Sequence, residues 1–230
     1  GGEPFPTNAA EPEALSGGWT ALALAFAMSF PTLVAWLYFV VLATGGGKAN
    51  AAQQVVYALG KCVQFAVPLA FLGLGAGRWP RWPAPHAGGV ASGVGFGLVV
   101  AAAAFALYFP YLRGSPLLAQ TPRRIQQKVM EFRVDTPARY AAMAAFLAVA
   151  HSLMEEYYWR WFVFGRLRQL VPLVPAVVLA SLAFMSHHAI VLYVFLRGKF
   201  LTAAFSLAVA AGGAAWCWLY ERTGSLIAPW

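Results

Sequence analysis

Charge is what this sequence has least of. Asp, Glu, Lys and Arg make up 10% of its 230 residues, and hydrophobic residues make up 60%. A soluble globular chain carries about 25% charged residues, so the composition excludes an ordinary soluble domain. Cysteine is nearly absent: Cys62 and Cys217 both lie in apolar runs, where they read as small buried hydrophobes and give no basis for a disulfide framework or a thiolate metal site. Positive charge is missing from residues 1–18, which hold Glu3, Glu11 and Glu13. That excludes the basic start of a secretory signal and leaves a mobile, non-basic tail as the expectation for 1–18.

What the chain does have is long apolar runs. About 20 apolar residues in a helix cross a hydrocarbon core of about 30 Å. Such runs fall at about 19–44, 55–76, 89–111, 138–164, 174–196 and 200–220, and another begins at Ser225. The fold class expected is all-α: a polytopic transmembrane helix bundle of about six full spans plus the start of a seventh, forming one domain over 19–230. Gly93, Gly95 and Gly97 make the third run suited to close helix contact. Between Pro122 and Pro137, Ile125, Val129 and Phe132 recur at helical spacing among polar neighbours, which predicts a short amphipathic helix on the membrane surface or a solvated basic loop.

The formal charge of +8 would suggest nucleic acid in a soluble protein. Here Lys and Arg cluster in connections beside apolar runs, the pattern that sets orientation and contacts anionic lipid. The expected partner is the lipid bilayer and not nucleic acid. Lys48, Arg113, Arg123, Arg124, Lys128, Arg133, Arg197 and Lys199 in the odd connections outnumber Arg78, Arg81, Arg166, Arg168 and Arg222 in the even ones, so the odd side is expected to be cytoplasmic.

Acidic residues are scarcer still, eight in all, and six of them sit in the tail, in polar connections or at a helix end. The other two are adjacent, inside the fourth apolar run. An ionisable group at bilayer depth costs roughly 2.5–3.5 kcal/mol on insertion scales and marks a functional site by default. On a helix, residues four apart share a face. Glu156 therefore pairs with Arg160, a structural couple, and Glu155 is left to pair with His151 one face over. In the fifth run Phe184 and His188 share a face, and the adjacent His187 points elsewhere, toward the helix flank or an interface. A carboxylate on one helix and a neutral imidazole on another can polarise a water directly or hold a divalent metal. The aromatic cluster Tyr157, Tyr158, Trp159 and Trp161 reads as helix packing or interface anchoring.

Glu155-Glu156-Tyr157-Tyr158-Trp159-Arg160 resembles the E-E-x-x-x-R motif, and Phe184-Met185-Ser186-His187-His188 the F-x-x-x-H motif, of the CPBP family of intramembrane proteases (CAAX protease and bacteriocin-processing, also called Abi). Tyr220-Glu221-Arg222-Thr223-Gly224-Ser225-Leu226 is similar to the segment leading into that family's last motif helix. The resemblance covers about 140–230, the motif-bearing half. It implies a membrane endopeptidase in which Glu155 and His188 activate water, with Glu156, Arg160, His187, His151 and Phe184 in support. It leaves open whether a divalent metal such as zinc is used, held by Glu155 and His188. Two departures stand out: Trp161 follows the arginine where the family usually has Gly, and the further His and Asn of the last motif fall beyond Trp230.

The resulting expectation is an integral, multi-pass protein of a bacterial inner membrane that cleaves a peptide or protein substrate. A catalytically silent subunit of a larger membrane complex is the alternative, and a proton-coupled transporter ranks below both.

Overall fold

The computed structural model describes residues 17–43, 51–75 and 87–230. The expected tail at 1–18 and the basic residues Lys48, Arg78 and Arg81 lie largely or wholly outside them. Every regular element in the described residues is helical: α1 (Gly17–Trp36), α2 (Ala51–Gly75), α3 (Ala87–Leu107), α4 (Thr121–Glu131), α5 (Pro137–Phe146), α6 (Ser152–Glu156), α7 (Gly165–Leu170), α8 (Leu173–Leu196) and α9 (Lys199–Thr223), with π-helical or 3-10 turns between or after some of them. Backbone groups that cannot reach water must pair within their own segment, and an all-helical chain does that residue by residue. The all-α bundle read from the sequence is the observed fold.

Five helices are long and apolar enough to cross a membrane: Gly17–Val41, Ala51–Gly73, Ala87–Leu112, Leu173–Leu196 and Lys199–Thr223. The fourth expected span is a continuous helical run over 137–170 in which α5, α6 and α7 alternate with π turns at Leu147–His151 and Tyr157–Phe164. Thr136 starts it by accepting the Arg139 N–H at 3.3 Å, with Pro137 at the first position, as N-caps do. The expected seventh helix is one turn: the Trp230 N–H donates to the Leu226 carbonyl at 3.1 Å. α4 confirms the amphipathic helix; its Thr121 and Arg124 side chains donate to the Phe195 carbonyl at the end of α8. The third and fifth connections thus share one end of the bundle.

Packing is centred on the hairpin of α8 and α9, with α1 on α8, α2 on α1, and the 137–170 run wedged among α1, α2, α8 and α9. The core gathers Leu24, Ala27, Tyr158, Trp159, Phe162, Val163, Phe164, Ala180, Phe184 and Cys217. Hydrophobic burial gives little drive between helices in lipid, so close contact and interhelical hydrogen bonds carry the association. Both are present. A Cβ on Gly60 would lie 2.7 Å from the Val34 methyls, which brings α1 and α2 together. Tyr158 donates to the Ala27 carbonyl at 2.7 Å, Gln53 to the Tyr38 carbonyl at 2.8 Å, and the Thr32 and Ser186 hydroxyls share a hydrogen.

Candidate functional site

The carboxylate pair sits in α6, a single α-turn held between two π turns. A π turn inserts a residue without breaking the helix and is found disproportionately at functional sites. It also leaves carbonyls poorly paired, and the Ser152 hydroxyl donates to the carbonyls of Ala148 (2.6 Å) and Val149 (3.2 Å) in the first of them. The Trp230 indole N–H donates to the Val149 carbonyl and the Ser152 hydroxyl, both at 3.0 Å, so the turn after α9 is tied to the helix that presents the pair.

Both couples expected from i, i+4 spacing form. Arg160 Nε lies 3.2 Å from Glu156 Oε2, with side-chain exposures of 1% and 9%. The contact is ionic without hydrogen-bond alignment, and Nη1 and Nη2 of Arg160 have no hydrogen-bond partner among the described residues. Aromatic faces take their place: the guanidinium carbon is 4.6 Å from the Phe184 ring centroid and 5.0 Å from that of Trp216, desolvated cation–π contacts. The supporting role expected of Phe184 is therefore contact with Arg160.

His151 Nε2 lies 3.5 Å from Glu155 Oε1, with exposures of 24% and 15%. The other ionisable groups near Glu155 are His187 and His188 on α8 and Lys61 on α2. In His188, Nδ1 is 3.0 Å from the Phe184 carbonyl. A carbonyl only accepts, so Nδ1 donates and Nε2 keeps its lone pair, the tautomer a base or ligand needs.

His187 lies in the interface between α8 and the 137–170 run: it is 7% exposed, lies parallel to the Trp159 indole with ring centroids 5.5 Å apart, and is 4.1 Å from the His188 ring. Stacking on Trp159 turns it back into the bundle, so both histidines belong to the Glu155 side. The aromatic cluster is packing as expected, with Tyr158 and Trp159 fully buried. Trp161 stacks on Tyr157 at 5.2 Å.

Two cavities reach this region. One of about 270 Å³ is lined by Ser152, Glu155, Glu156, Phe184 and Trp216, by Gly93, Phe96, Gly97 and Val100 of α3, and by residues 228–230. A Cβ on Gly93 would stand 2.1 Å from the Ala228 carbonyl oxygen, so glycine is what allows α3 and the last turn to close that cavity. The other, of about 950 Å³, is almost wholly apolar and ends at His151 and Met154. Lys61, which lines it, is the site residue the sequence reading passed over, and its signal was available: a lysine ten residues into an apolar helix is as exceptional as an intramembrane glutamate.

Residues 137–230 match a family model described as Rce1-like: Type II CAAX prenyl endopeptidase Rce1-like. This segment is similar to the CPBP-type CAAX proteases. The match spans the 137–170 run, α8, α9 and the final turn, and so includes both carboxylates, both adjacent histidines and Arg160. No curated protein and no solved structure gives a significant match. With the CAAX-protease-like segment and five helices of membrane-crossing length, the chain is an integral, multi-pass membrane protein embedded in a lipid bilayer. Catalytic zinc sites use three protein ligands; among the described residues no group of three His, Cys, Asp or Glu is placed to hold a metal. Glu155 and His188 are two donors, short of such a set.

Proposed function

We propose that the protein is an intramembrane endopeptidase, with Glu155 as general base and His188 as its imidazole partner. The observation that supports this most is the orientation of His188: its Nδ1–H is spent on the Phe184 carbonyl and Nε2 is left for chemistry, while among the described residues Glu155 has only His151 within ion-pair distance. In this reading Glu155 takes a proton from water and the resulting hydroxide attacks the peptide carbonyl carbon. The C–N bond then breaks as Glu155 returns the proton to the leaving amine. A group within one hydrogen bond of the water, with the proper protonation state, is what general-base catalysis requires.

His188 Nε2 accepts a hydrogen bond from the same water and orients its lone pair. His151, four residues before Glu155, positions the carboxylate. Glu156 and Arg160 hold the helix. The substrate is a peptide or protein segment delivered within the membrane, and the membrane itself is a bacterial inner membrane, a placement supported by the Ala- and Gly-rich composition.

The decisive experiment compares the peptides released from membranes carrying wild-type protein, Glu155→Gln and His188→Gln, by mass spectrometry. A peptide present with wild type and missing with both variants, at equal protein levels, supports the endopeptidase. Identical peptide profiles, with the protein recovered in a stoichiometric membrane complex, replace it with a catalytically silent subunit.

A further inference from the structure

The cavity of about 950 Å³ lies between α2, α4 and the 137–151 stretch, and its walls are apolar: Phe65, Val129, Phe132, Met143 and Leu147 are typical. A volume near the top of the range for small-molecule sites, apolar walls and a very few polar groups are the features of a ligand pocket. Its polar lining residues include Lys61, Lys128, Tyr57, Tyr140 and His151. The Lys128 ammonium sits 5.4 Å from the Tyr38 ring centroid, Tyr38 packs on Tyr57 at 4.9 Å, and the Lys61 ammonium is 5.9 Å from the Tyr57 ring and 5.5 Å from that of Phe65. The two ammonium groups are thus linked through the rings of Tyr38 and Tyr57.

The lysines differ in one respect. Lys128 is neutralised by Glu131, whereas Lys61 donates to the Gln64 side-chain oxygen at 3.1 Å and has no carboxylate within 4 Å among the described residues. An ammonium has three hydrogens to give. One kept at membrane depth with a single neutral acceptor and no carboxylate in direct contact is costly unless it meets an anion there.

We propose that this cavity binds a single-chain anionic amphiphile, its hydrocarbon chain against the apolar wall and its acidic head on Lys61. The site is separate in kind from the peptidase chemistry and stands whether or not that chemistry is confirmed. Charge complementarity selects the class: a neutral head gives Lys61 no carboxylate or phosphate to contact, and a cationic one is repelled by it. The acidic head can come from a free fatty acid or from a lysophospholipid.

The test is equilibrium binding of radiolabelled palmitate to the full chain in phosphatidylcholine nanodiscs, with unlabelled palmitate, lysophosphatidylglycerol and hexadecanol as competitors. Saturable binding is expected, with an anionic competitor displacing the label at a concentration about ten-fold below hexadecanol, the value of one charge-assisted contact. The better of the two anionic competitors identifies the source of the head group. Lys61→Met removes the preference for anions while Lys61→Arg retains it, and Ala144→Trp, which fills the cavity, removes binding altogether. Each variant is checked for wild-type thermal unfolding, and Lys61→Gln substitutes for Lys61→Met if the latter does not fold. Equal displacement by hexadecanol and palmitate, or an unchanged preference in both neutral Lys61 variants, overturns the proposal.

Discussion

The two carboxylate couples of the 137–170 run are one residue apart in sequence and have the same i, i+4 geometry, yet their surroundings give them different work. Glu156 and Arg160 are closed in by Phe184 and Trp216, and the arginine is 1% exposed. Glu155 and His151 keep part of their surface and lie between two cavities. A buried pair is hard to break because removing either member strands the other. The less enclosed pair has an imidazole in place of a permanent cation, and in the proposed reading its carboxylate is the one that exchanges a proton. The lesson is that spacing makes the pairs and packing assigns their roles.

The sharpest way to break this comparison is Glu155→Gln. If Glu155 is the base, cleavage of the substrate falls by about 10²- to 10⁴-fold, the usual contribution of a general base, and the unfolding midpoint in detergent stays at the wild-type value. Equal losses of stability and activity would make the two couples alike and refute the division of labour. Arg160→Ala attacks the other side: it leaves Glu156 buried and unpaired, and a loss of about 3–5 kcal/mol is expected in unfolding measurements. A stable Arg160→Ala protein would show that the pair does not hold the helix.

Replacing the whole couple refines the point. Glu156→Leu with Arg160→Met should recover most of that loss, because well-packed apolar residues of similar size commonly substitute for a buried pair at little cost; the double variant is compared with each single one by the same unfolding assay. Gly93→Ala tests what closes the smaller cavity beside both carboxylates. The new methyl meets the Ala228 carbonyl, α3 must move away, and a cost of about 1–3 kcal/mol is expected for such overpacking. Cross-linking yield between cysteines placed at Val94 and Ile227 should fall with it. The smallest effect is expected for Ser152→Ala, which removes the hydroxyl from the Ala148 and Trp230 contacts and should cost about 1 kcal/mol while shifting no more than the unfolding midpoint.

Much of this was legible before any coordinate. Five of the six expected spans follow from apolar run length with bounds within four residues where both are described, and the fourth run, expected at 138–164, is helical over 137–170. The amphipathic α4 follows from Ile125, Val129 and Phe132. The Glu155–His151 and Glu156–Arg160 couples follow from helix geometry, and both form although His151 and Arg160 lie in the flanking π turns. The partner of His187 did not follow: its divergence of about 100° from His188 on the helix sets a direction, and only the packing puts Trp159 there.

What the sequence alone determined is therefore everything that lies within one helix: the spans, the amphipathic face and the two couples, because hydrogen bonds and side-chain neighbours along a helix are fixed by the period of the chain. What only the tertiary structure decided is which helix faces which. Lys61 joins the site because α2 packs against the carboxylate-bearing run, α3 reaches Glu155 because Gly93 admits the carbonyl of Ala228, and the large cavity exists because α4 lies across the gap beside α2. Those relations depend on side chains far apart in sequence meeting at close range, and no local period encodes them.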